Sequence, residues 1–223
     1  MHIPDGFIDL PTSAAFAGAS ALAVAGAVKG ARKQLSEQSA PLAGLTAVFI
    51  FAVQMLNFPV AAGTSGHLIG AALAMVLVGP YAATLALVVV LIIQAFLFAD
   101  GGLTALGLSI FNMAVISVWV SFAVFMLLKK IFPKTKSWLV IATFVSALIS
   151  VPAAAIGFVI QYAIGANATF SVGTVLNAMV GTHILIVIGE AIITALTVSA
   201  VLASRSDLVF GWDNKNIKLE IRS

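Results

Sequence analysis

His2 directly follows Met1, and that position has specific chemistry. Its ring Nδ1, its backbone nitrogen and the Met1 amine belong to one short covalent unit. A metal ion held by the amine and the His2 amide closes a small chelate ring, and the amide with Nδ1 closes another. Both rings are of unstrained size, so three nitrogens can lie in one plane around the ion. The arrangement needs a free amine. Methionine excision requires a small second residue, so Met1 is expected to stay. The amide must lose its proton, which Cu²⁺ and Ni²⁺ promote better than Zn²⁺ or Mn²⁺, and a square-planar nitrogen site suits the same ions. The fourth corner is open. His67, in the stretch PVAAGTSGHLIG, is the ring expected to fill it.

Taken singly, a histidine at position 2 is ordinarily a solvated residue, and one beside a helix N-terminus a hydrogen-bonded polar one. The pair says more, and Pro4-Asp5-Gly6 adds to it. Proline fixes φ and glycine permits a tight turn, so the tail can fold back on the body. Asp5 is placed to orient an imidazole or meet a charged ligand from behind the ligands. Thr64 or Ser65 is expected to cap the helix that follows His67. His183 and Glu190, in HILIVIGE, lie seven residues apart on one helix face, ~10 Å in rise. An ionisable group inside a span is costly and a functional candidate. Glu190 is either a hydrogen-bonded packing residue, a liner of the metal path, or a group linked to His183 through water. The amides of Gln54, Asn57, Gln94, Asn112 and Asn177 either pave a polar cavity or bridge helices. With no cysteine, any metal here must use nitrogen or oxygen.

These residues sit in an apolar chain. Of its 223 residues 61% are hydrophobic and 9% charged, and its mean hydropathy is +1.15. A soluble domain averages about 25% charged residues, so the chain reads as an all-α polytopic membrane protein. Apolar stretches run over 12–31, 41–57, 66–78, 80–98, 108–131, 137–161 and 172–203, the third and fourth divided at Gly79-Pro80. Asp5 and Asp9 precede the first stretch and Lys29, Arg32 and Lys33 follow it, the reverse of a signal peptide. With seven spans and the N-terminus outside, all eleven Lys and Arg fall inside, the C-terminus included; six spans would split them across both faces, against the positive-inside rule. The expected organisation is one seven-helix transmembrane domain over 1–204, with an N-terminal metal-binding loop over 1–11, and a short cytoplasmic tail over 205–223. No GxxxxGK loop occurs, so ATP hydrolysis by that route is not expected of this chain. In the first span Ala15, Ala19, Ala23, Ala27 and Ala31 repeat every four residues beside Gly18, Gly26 and Gly30. Such a stripe serves internal packing or the docking of another membrane subunit.

MHIPDG at the start, GTSGHLIG after the second span and HILIVIGEAIIT in the last one together resemble the CbiM/NikM family. The likeness runs from Met1 to about residue 204. These are substrate-binding (S) components of energy-coupling-factor transporters for cobalt and nickel. The resemblance implies seven transmembrane helices and a prokaryotic cell-membrane location. It implies ligation by the Met1 amine, the His2 backbone and ring nitrogens, and the His67 ring. The bound Ni²⁺ or Co²⁺ is then substrate, and no catalytic cofactor is expected. The implied partners are a membrane coupling (T) subunit, cytoplasmic ATPase subunits and a small CbiN/NikN-type membrane subunit; no nucleic acid is expected. It transfers no role to His183 or Glu190. Two other readings stay open: a transporter or channel for a non-metal solute with His2 incidental, and an intramembrane enzyme using His183 and Glu190 as acid and base.

Overall fold

The computed structural model describes residues 1–35, 40–60 and 64–212. Among them run seven helices: α1 (Leu10–Gln34), α2 (Ala40–Gln54), α3 (Ala71–Val78), α4 (Pro80–Leu97), α5 (Leu106–Ile131), α6 (Lys136–Gly165) and α7 (Val172–Arg205). α1, α4, α5, α6 and α7 are long and apolar enough to cross a membrane; α2 and the eight-residue α3 are shorter. The helix starts carry local signals. Asp9 accepts from the Thr12 amide at 2.8 Å, Thr135 from Trp138 at 3.3 Å and Ser171 from Thr174 at 3.1 Å. Each satisfies an amide that the first turn leaves without a helical partner.

α3 lies at the centre, all of its residues buried, against α2, α4, α5, α6 and α7. It begins at Ala71, five residues later than the apolar run suggests. Ser65–Gly66 instead pair with Phe58–Pro59 as a two-residue antiparallel ladder, and Gly70 turns the chain at φ +78°. Thr64 and Ser65 therefore do not cap it. The cap comes from α7: Glu190 accepts from the amides of Ile69 at 2.6 Å and Gly70 at 2.9 Å. At the other end of α3, the amides of Phe210 and Gly211 donate to Leu77 O at 3.1 Å and Val76 O at 2.9 Å. A helix too short to span is thus closed at both ends by protein, which satisfies its terminal backbone groups away from water. Residues 213–223, most of the tail expected over 205–223, lie outside the described residues.

The small-residue stripe of α1 divides. Ala27 and Ala31 are buried, Ala19 and Ala23 half-buried, and Ala15 exposed. Lys29, Arg32, Lys33, Lys129, Lys130, Lys134, Lys136 and Arg205 stand at the end of the bundle away from the N-terminus. The segments at the N-terminal end carry no Lys or Arg.

Candidate metal centre

The N-terminal segment tucks into the protein on either side of its turn, with Pro4 half-buried and Asp5 and Gly6 exposed. Met1 and Ile3 are fully buried, His2 is 3% exposed, and Phe7 and Ile8 are buried. Two loops hold them. Gly102 N donates to Ile3 O at 2.8 Å, and Ser109 Oγ takes the Ile3 amide at 3.4 Å. On the other side Asp9 N donates to Gly165 O at 2.8 Å, and Asn167 N to Phe7 O at 3.2 Å. The glycines at 101 and 102 are required by this approach. Gly101 has φ +86°, and a Cβ there would stand 2.9 Å from His2 Cβ and 3.0 Å from Nδ1; one at Gly102 would collide with the Asp5 backbone.

This docking brings His2 against His67, ring centroids 4.8 Å apart and planes tilted by 37°. Both rings are buried. His67 Nδ1 is 2.7 Å from Leu68 O, so Nδ1 carries the proton and Nε2 the lone pair. That Nε2 is buried and has no hydrogen-bond partner among the described residues. His183 is arranged likewise, its Nδ1 2.7 Å from Met179 O and its Nε2 without a partner among the described residues. The Met1 amine is near enough to both rings to interact with them electrostatically. Burial lowers the amine pKa from 8.0 to about 4, against the opposing pull of Asp100. At neutral pH it is therefore an uncharged nitrogen with a lone pair. Burial also drives the His2 imidazole well below its usual pKa, helped by the adjacent amine and opposed by the nearby Gln94 side chain.

His2 Nε2 faces Asp100 Oδ2 at 3.5 Å, an electrostatic contact rather than a hydrogen bond. Asp100 is held by Asn57 Nδ2 at 3.1 Å and Ser65 Oγ at 3.4 Å. The carboxylate beside the imidazole is thus Asp100, not Asp5. Asp5 accepts instead from the backbone and hydroxyl of Thr104, fixing the 101–105 loop, and those bonds hold its pKa low. Thr64 is buried, with its hydroxyl 3.8 Å from Met179 Sδ. Of the amides, Gln94 donates to Gln54 at 2.9 Å, Gln54 to Ile69 O at 2.8 Å, and Asn112 to Gln161 at 2.7 Å. Asn57 and Asn177 are exposed. Asp100 and Gly101-Gly102 were not singled out by sequence, because Asp-Gly-Gly after an apolar helix reads as an ordinary turn.

Among the described residues no three His, Cys, Asp or Glu side chains are grouped to hold a metal ion. A site here must draw on the main chain, and the Met1 amine and His2 amide are where it would do so. The chain can be compared with known proteins on this basis. Residues 2–208 match the family described as CbiM, cobalt uptake substrate-specific transmembrane region. The chain belongs to the CbiM family.

A protein of Haloquadratum walsbyi named for metal transport is 36% identical over 225 residues, covering the whole of both chains. The fused nickel transport protein NikMN of Rhodobacter capsulatus is 41% identical over 127 residues, 57% of this chain and 37% of that longer protein. A crystal structure of a transition metal transporter superposes with a TM-score of 0.85 at 28% identity, covering 100% of this chain and 99% of that one. This is a multi-pass prokaryotic membrane protein of a cobalt and nickel transport family.

Proposed function

We propose that this chain is the substrate-capture subunit of an ATP-driven nickel or cobalt uptake transporter. The ion is ligated by the Met1 amine, the deprotonated His2 amide, His2 Nδ1 and His67 Nε2. The observation that carries this reading is the burial of Met1 and His2 beside a His67 ring whose Nε2 has no other partner among the described residues. His2 Nε2 is turned to Asp100, which leaves Nδ1 on the side the chelate needs. A planar four-nitrogen set with a deprotonated amide favours Ni²⁺ over Co²⁺. Ser65 and Asp100 support His2 from behind, while Thr64 and His183 line the space around the ring of His67.

In this reading seven helices cross the membrane, with the N-terminal end outside and the basic end cytoplasmic. Residues 1–204 form one transmembrane domain and the tail follows from 205. A hydrated ion enters at the outer face and exchanges water for nitrogen, and the amide releases its proton. ATP hydrolysis on cytoplasmic partners, joined through a membrane coupling subunit, opens the site inward. The name of the fused relative supports a small N-type membrane partner for this M-type chain. The exposed half of the α1 stripe and the basic inner loops are contact surfaces for these subunits. The acid–base enzyme reading is disfavoured: Glu190 is engaged by two amides and His183 Nδ1 by a helix carbonyl.

Equilibrium nickel binding to the purified chain tests the ligand set. Acetylating the Met1 amine removes that donor and is expected to weaken binding on the order of a hundredfold or more, and His67→Ala about tenfold or more. Unchanged affinity in both would return the reading to a solute transporter with His2 incidental.

A further inference from the structure

Glu190 is an acidic side chain within a span, 2% exposed, and the ligand set above gives it no task. Such a group is costly inside a bilayer. Position 70 cannot supply a side-chain cap for α3, since its φ is +78° and a Cβ there would stand 2.8 Å from Ile50. The chain has glycine there and brings a carboxylate from 120 residues away.

The bond to Ile69 has a further consequence. Ile69 N–H and Leu68 C=O are two ends of one peptide group. Glu190 Oε2 takes the N–H at 2.6 Å, and the C=O stands 2.7 Å from His67 Nδ1. One path of hydrogen bonds therefore runs from carboxylate through peptide to imidazole, and it ends at the partnerless Nε2. A carboxylate or carbonyl on the second nitrogen of a ligating histidine fixes its tautomer and raises its basicity. A peptide whose N–H is bonded to a carboxylate is a stronger acceptor at its oxygen. His183 supplies the contrast. Its Nδ1 also faces a carbonyl, but that peptide lies inside α7, where the N–H belongs to the helix ladder.

We infer that Glu190 is a positioning residue for the metal site: through the Leu68–Ile69 peptide it holds His67 in its Nδ1–H form, aims Nε2 and strengthens it as a donor. The inference rests on His67 being a ligand, as proposed above. It also makes α7 the helix that controls the fourth ligand, since Glu190 grips the turn that presents it.

A double-mutant cycle tests this on the full chain, with nickel binding by calorimetry and the ligand-field spectrum of bound nickel as readouts. Glu190→Gln is expected to weaken binding about tenfold and shift the spectrum. In a His67→Ala background, where the N-terminal chelate still binds, it is expected to change affinity less than twofold. Equal losses in both backgrounds, or none in either, overturn the inference while leaving the ligand set standing. Full affinity in His67→Ala alone overturns the ligand assignment and this inference with it. Glu190→Asp, which keeps the charge but withdraws it by one methylene, serves if Glu190→Gln is not recovered folded. Its loss, about threefold, must likewise vanish without His67.

Discussion

Both ends of the described chain tuck into the body, at opposite ends of the bundle, and they do different work. The N-terminal segment is held by side chains and backbone from two sides, yet its Met1 amine is desolvated, and His2 Nε2 has only a distant carboxylate among the described residues. The segment after α7 arrives with two amides and gives both to α3, burying Val209 and Phe210 against it. Lys129 Nζ closes on Gly211 O at 2.6 Å. One terminus brings unmet coordination capacity into the interior; the other completes a helix. Buried polar groups are ordinarily satisfied, and the proposed ligand set would complete the terminus where they are not.

That contrast can be broken from the N-terminal side first. Gly101→Val forces a β-branched side chain into φ +86° and against His2; nickel affinity is expected to fall on the order of a hundredfold while the helical circular dichroism stays. Asp100→Asn removes the charge facing His2 Nε2 and is expected to cost about tenfold, read by the same titration.

A smaller effect comes from the amine itself. Its folded pKa, about 4, lies below its unfolded value of 8.0. Between those limits the unfolded chain binds a proton that the folded chain does not, so stability rises with pH through the window and is lost as pH falls through it. Thermal unfolding of the metal-free chain in detergent should therefore occur at higher temperature at pH 8 than at pH 5. An acetylated N-terminus should reduce the difference; an identical difference in the acetylated chain would place the titration elsewhere. The smallest effect on metal is expected from the other terminus. Phe210→Ala should lower stability by about 3 kcal/mol through lost packing, with nickel affinity within twofold of the parent. A large affinity loss there would erase the distinction between the two ends.

Much of the fold was legible in the sequence because lipid imposes long apolar helices. The seven stretches coincide with the seven helices to within a few residues, save the start of α3. That miss is physical: Gly66 to Gly70 is as apolar as a helix but is extended and turned, and its cap is Glu190, far away in sequence. Of the proposed site, His2 and His67 stood out in the sequence because a histidine at position 2 has covalent neighbours whose chemistry needs no tertiary information, and the structure brings the two rings together. Asp100 was not, because its approach to His2 depends on the fold of the 98–105 loop. Asp5 was assigned the part that Asp100 takes, since nearness in sequence to His2 is not nearness in space: Asp5 turns to Thr104. Glu190 was visible as an anomaly, but its bond to the peptide beside His67 follows only from the packing of α7 on the 66–70 turn.

X-ray absorption at the nickel edge of the loaded chain tests the central claim most directly. Four short nitrogen bonds with a square-planar edge feature, lost when the Met1 amine is acetylated, are the predicted result. Six-coordinate nickel with mainly oxygen neighbours, unchanged by that acetylation, would contradict it.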